Sequence, residues 1–369
     1  MSTSKPRVAV GLSGGVDSSV AAYLLQQQGY DVIGLTFRNW PQDCLSRAED
    51  KCCGPQAVTD ARMVAHQLDI PYYVVDEIET FQRTVIDYFV AEYRRGRTPN
   101  PCVVCNSEVK FGSLLKKARA LGADCVATGH YARIERAGTD GVAGPCRLRK
   151  GLDPAKDQSY FLFSLRPDQL AWTRLPLGEL SKEQTRAIAR KLNLKTHDKA
   201  ESQEICFVPD QDYGRFLREH VQVPDRAGEI VTRDGTVVGH HHGIHYFTVG
   251  QREGLKLGGL KQPLYVVALD APANRVIVGT ADSLLRDEFD VADCNWLTTP
   301  EPGDPIEVTV KIRYNHPGCR AALSVVDAGG RGDRCRVRVR TQSPQRAVTP
   351  GQAAVFYRED LVLGGGWIC

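Results

Sequence analysis

Nine consecutive positions, Gly11-Leu12-Ser13-Gly14-Gly15-Val16-Asp17-Ser18-Ser19, combine paired glycines, three hydroxyls and one carboxylate. The stretch follows the apolar run RVAVG and opens a helical pattern, so it reads as a strand, a loop and a helix. Glycine lets the backbone approach an anion closely, and a helix N-terminus offers unpartnered N–H groups and partial positive charge. The segment is therefore read as a phosphate cradle. A Walker A loop would carry Gly-Lys-Ser/Thr here, and that lysine is absent, which argues against γ-phosphate transfer by that machinery. A plain Gly-rich helix cap is the alternative, and the strand–loop–helix context favours the cradle.

Residues 98–106 read Thr-Pro-Asn-Pro-Cys-Val-Val-Cys-Asn, with a helix expected after them to about Leu121. The prolines stiffen the loop. Cys105, at or near the start of that helix, should feel the positive end of the dipole, which lowers a thiol pKa and favours the reactive thiolate. Half a zinc site and inert loop thiols are the alternatives; Cys52 and Cys53, the other close pair, are adjacent and lack the usual metal spacing. A third thiol, Cys206, lies in Glu201-Ser202-Gln203-Glu204-Ile205-Cys206-Phe207-Val208-Pro209 and alone signifies little. The chain has twelve cysteines and no secretory h-region before its first strand, which points to reduced thiols and a cytoplasmic setting. Cys125 and Cys335 sit in apolar strand patterns and are expected in the core.

The elements that must hold these groups alternate at first. RVAVG (7–11), DVIGLTF (31–37), YYVV (72–75) and CVAT (125–128) read as strands. Helices are expected from Asp17 to a stop at Gly29, through Ala61, Val64, Ala65 and Leu68, and from a capping box at Ser181 and Gln184. Alternating β and α implies an α/β fold with a doubly wound parallel sheet. From about residue 211, apart from a short helical stretch near Gly214–His220, the pattern turns to strands: EIVT, TVVG, HYFTVG, LYVVALD and RVIVG. A break at 281–293 then precedes IEVTVKIRY, CRAALSVVD, CRVRVRT and AAVFYRE. Three domains follow: 1–210, a small central β domain at 211–281, and a C-terminal β-barrel or sandwich at 282–369.

At 369 residues, two to three domains are expected at about 150 residues each. Hydrophobic residues at 42% and charged residues at 25% exclude a disordered or coiled-coil chain, and no apolar run nears the roughly 18 residues of a membrane span. The net charge of +3 conceals two basic stretches. Residues 94–119 hold seven Lys/Arg against Glu108 alone. Residues 311–346 hold nine against Asp327 and Asp333, with Arg334, Arg336, Arg338 and Arg340 on one strand face. These suit a phosphate backbone, a solvated strand face being the alternative. His240, His241, His242 and His245 invite a metal reading, but strand alternation separates neighbours and no acid or thiol stands near in sequence.

SGGVDSS resembles the loop of enzymes that split ATP between its α- and β-phosphates. GLSGGVDSSV, RTPNPCVVCN, ATGHYAR, KDQSYFL, SQEICFVP, TVGQR, KIRYNH and VTPGQAAVFY together, in this order, resemble bacterial tRNA-specific 2-thiouridylases of the MnmA type along nearly the whole chain. The resemblance implies a pyrophosphatase-type catalytic domain, a central β domain and a C-terminal barrel, the last two gripping tRNA. It implies ATP binding by Gly11, Leu12, Ser13, Gly14, Gly15, Val16, Asp17, Ser18, Phe37 and Gly129, with Asp17 helping to hold Mg²⁺. Cys105 would be the catalytic nucleophile and Cys206 the persulfide carrier. Asn100, Pro101 and Cys102 would meet the target base, and His130, Lys156, Asp157, Gln158, Arg313, Tyr314 and Gln352 would face tRNA. Many members carry Asp at the position of Cys102, so this chain is a Cys-x-x-Cys variant.

The implied reaction adenylates the C2 oxygen of a wobble uridine and replaces it with sulfur, supplied by a cysteine desulfurase or sulfur-relay protein. Cys102, Cys105 and Cys206 admit a second reading, a 4Fe-4S cluster with one open iron, as in related tRNA thiolases; the persulfide relay needs only Cys105 and Cys206. Rival functions are a related thiolase acting on another nucleoside and a tRNA- or nucleotide-binding module without turnover.

Overall fold

The computed structural model describes residues 5–39, 55–136, 144–199, 205–208, 212–219, 225–258, 262–298, 305–327 and 335–369. Cys52, Cys53 and Glu201–Glu204 lie outside them. Two compact units interleave in sequence: Met1–Val85, Cys102–Gln211 and Asp360–Val362 form the first, and Ile86–Pro101, Asp212–Glu359 and Leu363–Cys369 the second.

In the first unit the strands among the described residues are β1 (Arg7–Gly11), β2 (Asp31–Arg38), β3 (Tyr72–Asp76), β4 (Cys125–Ala127), β5 (Ala132–Arg136), β6 (Cys146–Lys150) and β7 (Thr173–Arg174). Five form a parallel sheet in the order β3-β2-β1-β4-β7. The β-branched runs seen in the sequence are its first four strands; β7 is two residues long and leaves no periodic signal. Helices Val16–Gln27, Pro55–Gln67 and Leu114–Ala120 pack on this sheet. Val8, Val10, Leu25, Val32, Ala61, Val64 and Cys125 form one core cluster, in which each fully buried Val or Leu contributes about 1.5–3 kcal/mol. Helix Val16–Gln27 ends ahead of Gly29, whose φ of +87° permits the left-handed turn. Helix Lys182–Lys191 has the expected capping box: the Ser181 hydroxyl accepts from Gln184 N–H at 3.1 Å, and Ser181 N–H donates to Gln184 Oε1 at 2.8 Å. Strand order reverses between β1 and β4, the switch point where open α/β sheets bind ligands beyond their C-terminal strand ends.

The hairpin β5–β6 stands apart from that sheet. Leu361 pairs with Arg149 of β6, and Asp360 accepts from Arg133 at 2.6 Å and Arg149 at 2.5 Å.

The second unit holds a four-stranded sheet, β8 (Gly228–Thr232), β9 (Val237–His241), β10 (Tyr265–Asp270) and β11 (Arg275–Gly279), in the order β10-β11-β8-β9. HYFTVG, expected as a strand, is a 3₁₀ turn at Ile244–Tyr246 followed by irregular backbone. Ile244, just before that segment, and Phe247 within it enter the core of the small sheet without joining the ladder. The remaining strands are β12 (Leu285–Trp296), β13 (Ile306–Lys311), β14 (Cys319–Asp327), β15 (Arg336–Arg346), β16 (Ala353–Arg358) and β17 (Leu361–Ile368). They run β12-β15-β14-β13-β16-β17, and β12–β17 pairing closes the barrel. The expected break at 281–293 is corrected: β12 occupies Leu285–Trp296. Its outward residues Arg286, Glu288 and Asp290 are charged, so the strand reads as a linker, while Phe289 and Val291 face the core.

Candidate active site

The phosphate loop leaves β1 at Gly11 and is braced by its own side chains. Ser13 N–H donates to Ser18 Oγ at 3.1 Å, the Ser13 and Ser18 hydroxyls share a hydrogen bond at 3.2 Å, and Ser19 Oγ donates to Gly15 O at 2.8 Å. Gly14 has φ +67°, and a Cβ there would lie 2.4 Å from Ala57 O, so only glycine fits against helix Pro55–Gln67. Leu12 is buried, and its carbonyl accepts from Thr36 Oγ1 at 2.6 Å, which sets the half-buried Phe37 of β2 one residue away. Gly129, just after β4, lies against the helix start: a Cβ would stand 2.7 Å from Asp17 C and Ser18 N. The ATP-binding positions expected on β1, β2 and β4 thus meet at the switch point, with Val16 buried beneath them.

Two lysines and a tyrosine at this loop escaped sequence reasoning. Lys182, largely buried, donates to both Asp17 oxygens at 2.7 and 2.8 Å, and Tyr131 OH donates to Asp17 Oδ1 at 2.8 Å. Lys199 donates to Asp60 Oδ2 at 2.6 Å and to Gly14 O at 3.3 Å. The signal for Lys182 lay in its position directly after the capping serine at 181, where the helix start fixes its direction. Mg²⁺ takes near-octahedral oxygen ligands, mostly phosphates and water with one or two carboxylates. Asp17 is the carboxylate nearest the loop, and here both of its oxygens accept from Lys182.

The cysteine segment is a continuous helical stretch: α-helical at Pro101–Val104, π-helical at Cys105–Ser113 and α-helical again at Leu114–Ala120. The helix therefore begins before Cys102, with Pro101 at the first position, where its missing N–H costs no hydrogen bond. Cys102 and Cys105 are three residues apart, a spacing that favours one face, Cys102 half-buried and Cys105 buried. The π segment shifts the ladder and leaves carbonyls to be satisfied from outside, a feature frequent at functional sites. Buried Gln169 does this: its Nε2 donates to Ser107 O at 2.8 Å and Phe111 O at 3.0 Å, while its Oε1 accepts from Arg166 N–H at 2.8 Å. Asn106 Nδ2 donates to Phe161 O at 3.1 Å. Near Cys206, the ring of Phe207 packs edge-on against Phe81 at 5.8 Å, and helix Ile78–Phe81 packs on the π segment. Among the described residues, which include Cys102, Cys105 and Cys206, no three His, Cys, Asp or Glu side chains are arranged to hold a metal ion.

The remaining expected positions range from buried to exposed. His130 is buried, sharing a hydrogen bond with Thr128 Oγ1 at 2.7 Å; burial pushes its pKa well down, with Lys110 adding to the shift, so the ring stays neutral. The buried Asp157 carboxylate accepts from Gly151 N–H, Ser159 N–H and Ser159 Oγ at 3.1 Å each. Gln158 Oε1 accepts from Tyr131 N–H at 2.9 Å, and Lys156 is half-buried in the same loop. Arg313 is exposed and donates to Arg346 O, and Lys311 sits over the ring of Tyr314 at 5.9 Å. Gln352 is half-buried, and Asn100 is buried with its N–H donating to Tyr88 OH at 3.4 Å. Cys125 is a core thiol, and burial raises its pKa; Cys335 is half-buried just before β15. On β9, His240 is exposed and His241 buried, its Nε2 sharing a hydrogen bond with Asn274 O at 3.1 Å.

The arginine row on β15 differs from its sequence reading. Arg336, Arg338 and Arg340 do point outward over buried Val337 and Val339, but β12 carries a matching acidic row. Arg338 pairs with Asp290 at 2.9 Å and Arg340 with Glu288 at 2.8 Å. Much of that positive charge is neutralised across the strand pair.

Residues 6–210 match the family described as a tRNA methyl transferase HUP domain, 214–280 its PRC-barrel domain, and 286–368 an aminomethyltransferase beta-barrel domain. A Geobacter metallireducens protein described as a tRNA-specific 2-thiouridylase is 50% identical over 99% of this chain and 97% of its own length. The chain belongs to the tRNA-specific 2-thiouridylase family. Other members, from Acidithiobacillus ferrooxidans and Clostridium perfringens, are 48% and 46% identical over 98% and 99% of this chain, and over 98% of their own lengths. Family membership accounts for the order of architectures: HUP-type parallel sheet, small central β domain, closed barrel.

Proposed function

We propose that this chain is a tRNA-uridine 2-sulfurtransferase that converts the wobble uridine of tRNA to 2-thiouridine at the expense of ATP. The observation that carries this reading is its 45–50% identity, over nearly full length, to proteins described as tRNA-specific 2-thiouridylases. Absence of the Walker lysine and presence of the self-braced loop suit cleavage of ATP between its α- and β-phosphates. Attack by the C2 oxygen on the α-phosphate leaves AMP on uridine and turns a very poor leaving group into a good one. Gly14 and Gly15 present backbone to the phosphates, and the helix start at Val16 adds partial positive charge. Mg²⁺ held by Asp17 would offset charge on the departing pyrophosphate, and Lys182 brings a second positive charge to the same loop.

Sulfur arrives on Cys206 as a persulfide, loaded in the cytoplasm by a cysteine desulfurase or relay protein. The Cys105 thiolate attacks the Cys206 sulfur, forming a Cys105–Cys206 disulfide and expelling hydrosulfide. Hydrosulfide adds at C2 and displaces AMP, and a dithiol reductant restores both thiols. Cys102 stands on the same helix as a third thiol. Pyrophosphate release tests the ATP half: it should need both ATP and tRNA, and release independent of tRNA would overturn the reading.

A further inference from the structure

Two motifs found in the sequence, TVGQR and VTPGQ, take no part in the chemistry above, yet both close on the residues that precede the cysteines. The segment Arg97-Thr98-Pro99-Asn100 has few polar backbone groups, since Pro99 lacks an N–H, and its neighbours use most of them. Thr98 N–H donates to Pro350 O at 2.9 Å. The side-chain amide of Gln352 donates to Thr98 O at 3.2 Å and Pro99 O at 3.1 Å, gripping two successive carbonyls. Gly351, at φ +89°, brings its backbone so close that a Cβ would lie 2.8 Å from Thr98 O. Thr98 Oγ1 donates to Thr248 Oγ1 of TVGQR at 3.3 Å. From the other side Arg97 pairs with buried Glu92 at 2.8 Å. Gln352 itself is locked: its N–H donates to Thr349 O, and its carbonyl accepts from Ile368 N–H at 2.9 Å.

We propose that Gln352 is a positioning residue, which with Pro350, Gly351 and Thr248 clamps Thr98–Pro99 and so fixes the launch point of the helix that carries Cys102 and Cys105. The barrel turn and the central domain then contribute to sulfur transfer through the cysteine loop, in addition to any hold on RNA. An amide with two N–H donors suits two adjacent carbonyls, and a carboxylate would repel both, so Gln352→Glu should release the loop with little change in volume.

The inference rests on the thiolation reading, and its test separates the two. In Gln352→Glu and Gln352→Ala, amide hydrogen exchange at Thr98 should accelerate while exchange in β13–β16 stays as in the wild type, a readout that needs no turnover. With saturating tRNA, which takes any change of affinity at this tRNA-facing position out of the readout, the single-turnover thiolation rate should fall about 10–100-fold, the cost of misplacing a reacting group by about 1 Å. Unchanged exchange at Thr98, or a loss of tRNA affinity with an unaltered rate at saturation, would overturn the proposal and make Gln352 an RNA contact. A wild-type protein that never thiolates tRNA would sink the functional reading, while the exchange result would still decide the clamp.

Discussion

The phosphate loop and the cysteine loop are built in opposite ways. Ser13, Ser18, Ser19 and Gly15 brace the first with hydrogen bonds that span three to five residues. The second is held from afar: Gln352 reaches Thr98 and Pro99 across more than 250 residues, and Gln169 reaches Ser107 and Phe111 across about 60. An anion site needs only backbone direction and a helix start, which a short segment encodes. Under the proposed relay, the position of the thiols depends on contacts made far along the chain.

The largest effect should separate the two loops chemically. Cys105→Ser should cut thiolation by at least about 10³-fold, as loss of a nucleophile does, while tRNA-dependent pyrophosphate release continues. Release lost in parallel would mean that the loops do not act in separate steps.

Next comes Asp17→Ala, which should abolish pyrophosphate release and also destabilise the fold by about 1–3 kcal/mol, because the largely buried Lys182 ammonium loses its ion pair with Asp17. A double variant, Asp17→Ala with Lys182→Met, should regain most of the melting temperature and none of the activity. Equal stability of Asp17→Ala and wild type would show that the pair adds nothing to the fold.

The sequence disclosed the phosphate loop nearly whole because its reasons are local: glycine conformations, hydroxyl spacing, the helix start. Lys182 and Tyr131 went unseen because they reach Asp17 across 165 and 114 residues. The four β-branched strands of the parallel sheet, β1 to β4, were legible to within a residue. The two-residue β7, the charged β12 and the apolar turn at Ile244–Tyr246 were not, since length, charge and packing obscure a period of two. The arginine row was legible as a row, but its acidic partners sat in a stretch that did not read as a strand.

Gln169→Leu probes the remote support of the cysteine helix. It leaves Ser107 O, Phe111 O and Arg166 N–H without their partner and should destabilise by at least about 2 kcal/mol, with a larger loss of thiolation than of pyrophosphate release in the protein that remains folded. Equal losses would place Gln169 in general stability alone.

The smallest effect concerns the barrel. Glu288→Gln with Asp290→Asn frees Arg340 and Arg338 from their acidic partners. The change should tighten tRNA binding and steepen its salt dependence, by about 0.7–0.9 in slope for every phosphate newly neutralised. An unchanged slope would mark that face as merely solvated.

The central claim is sulfur transfer to one atom of one nucleoside. Mass spectrometry of tRNA digested after incubation with the protein, ATP, Mg²⁺ and a persulfide-generating cysteine desulfurase tests it directly. 2-Thiouridine should appear at the wobble position, dependent on ATP and on Cys105 and Cys206. Sulfur at another nucleoside, or none while tRNA and ATP both bind, would contradict it.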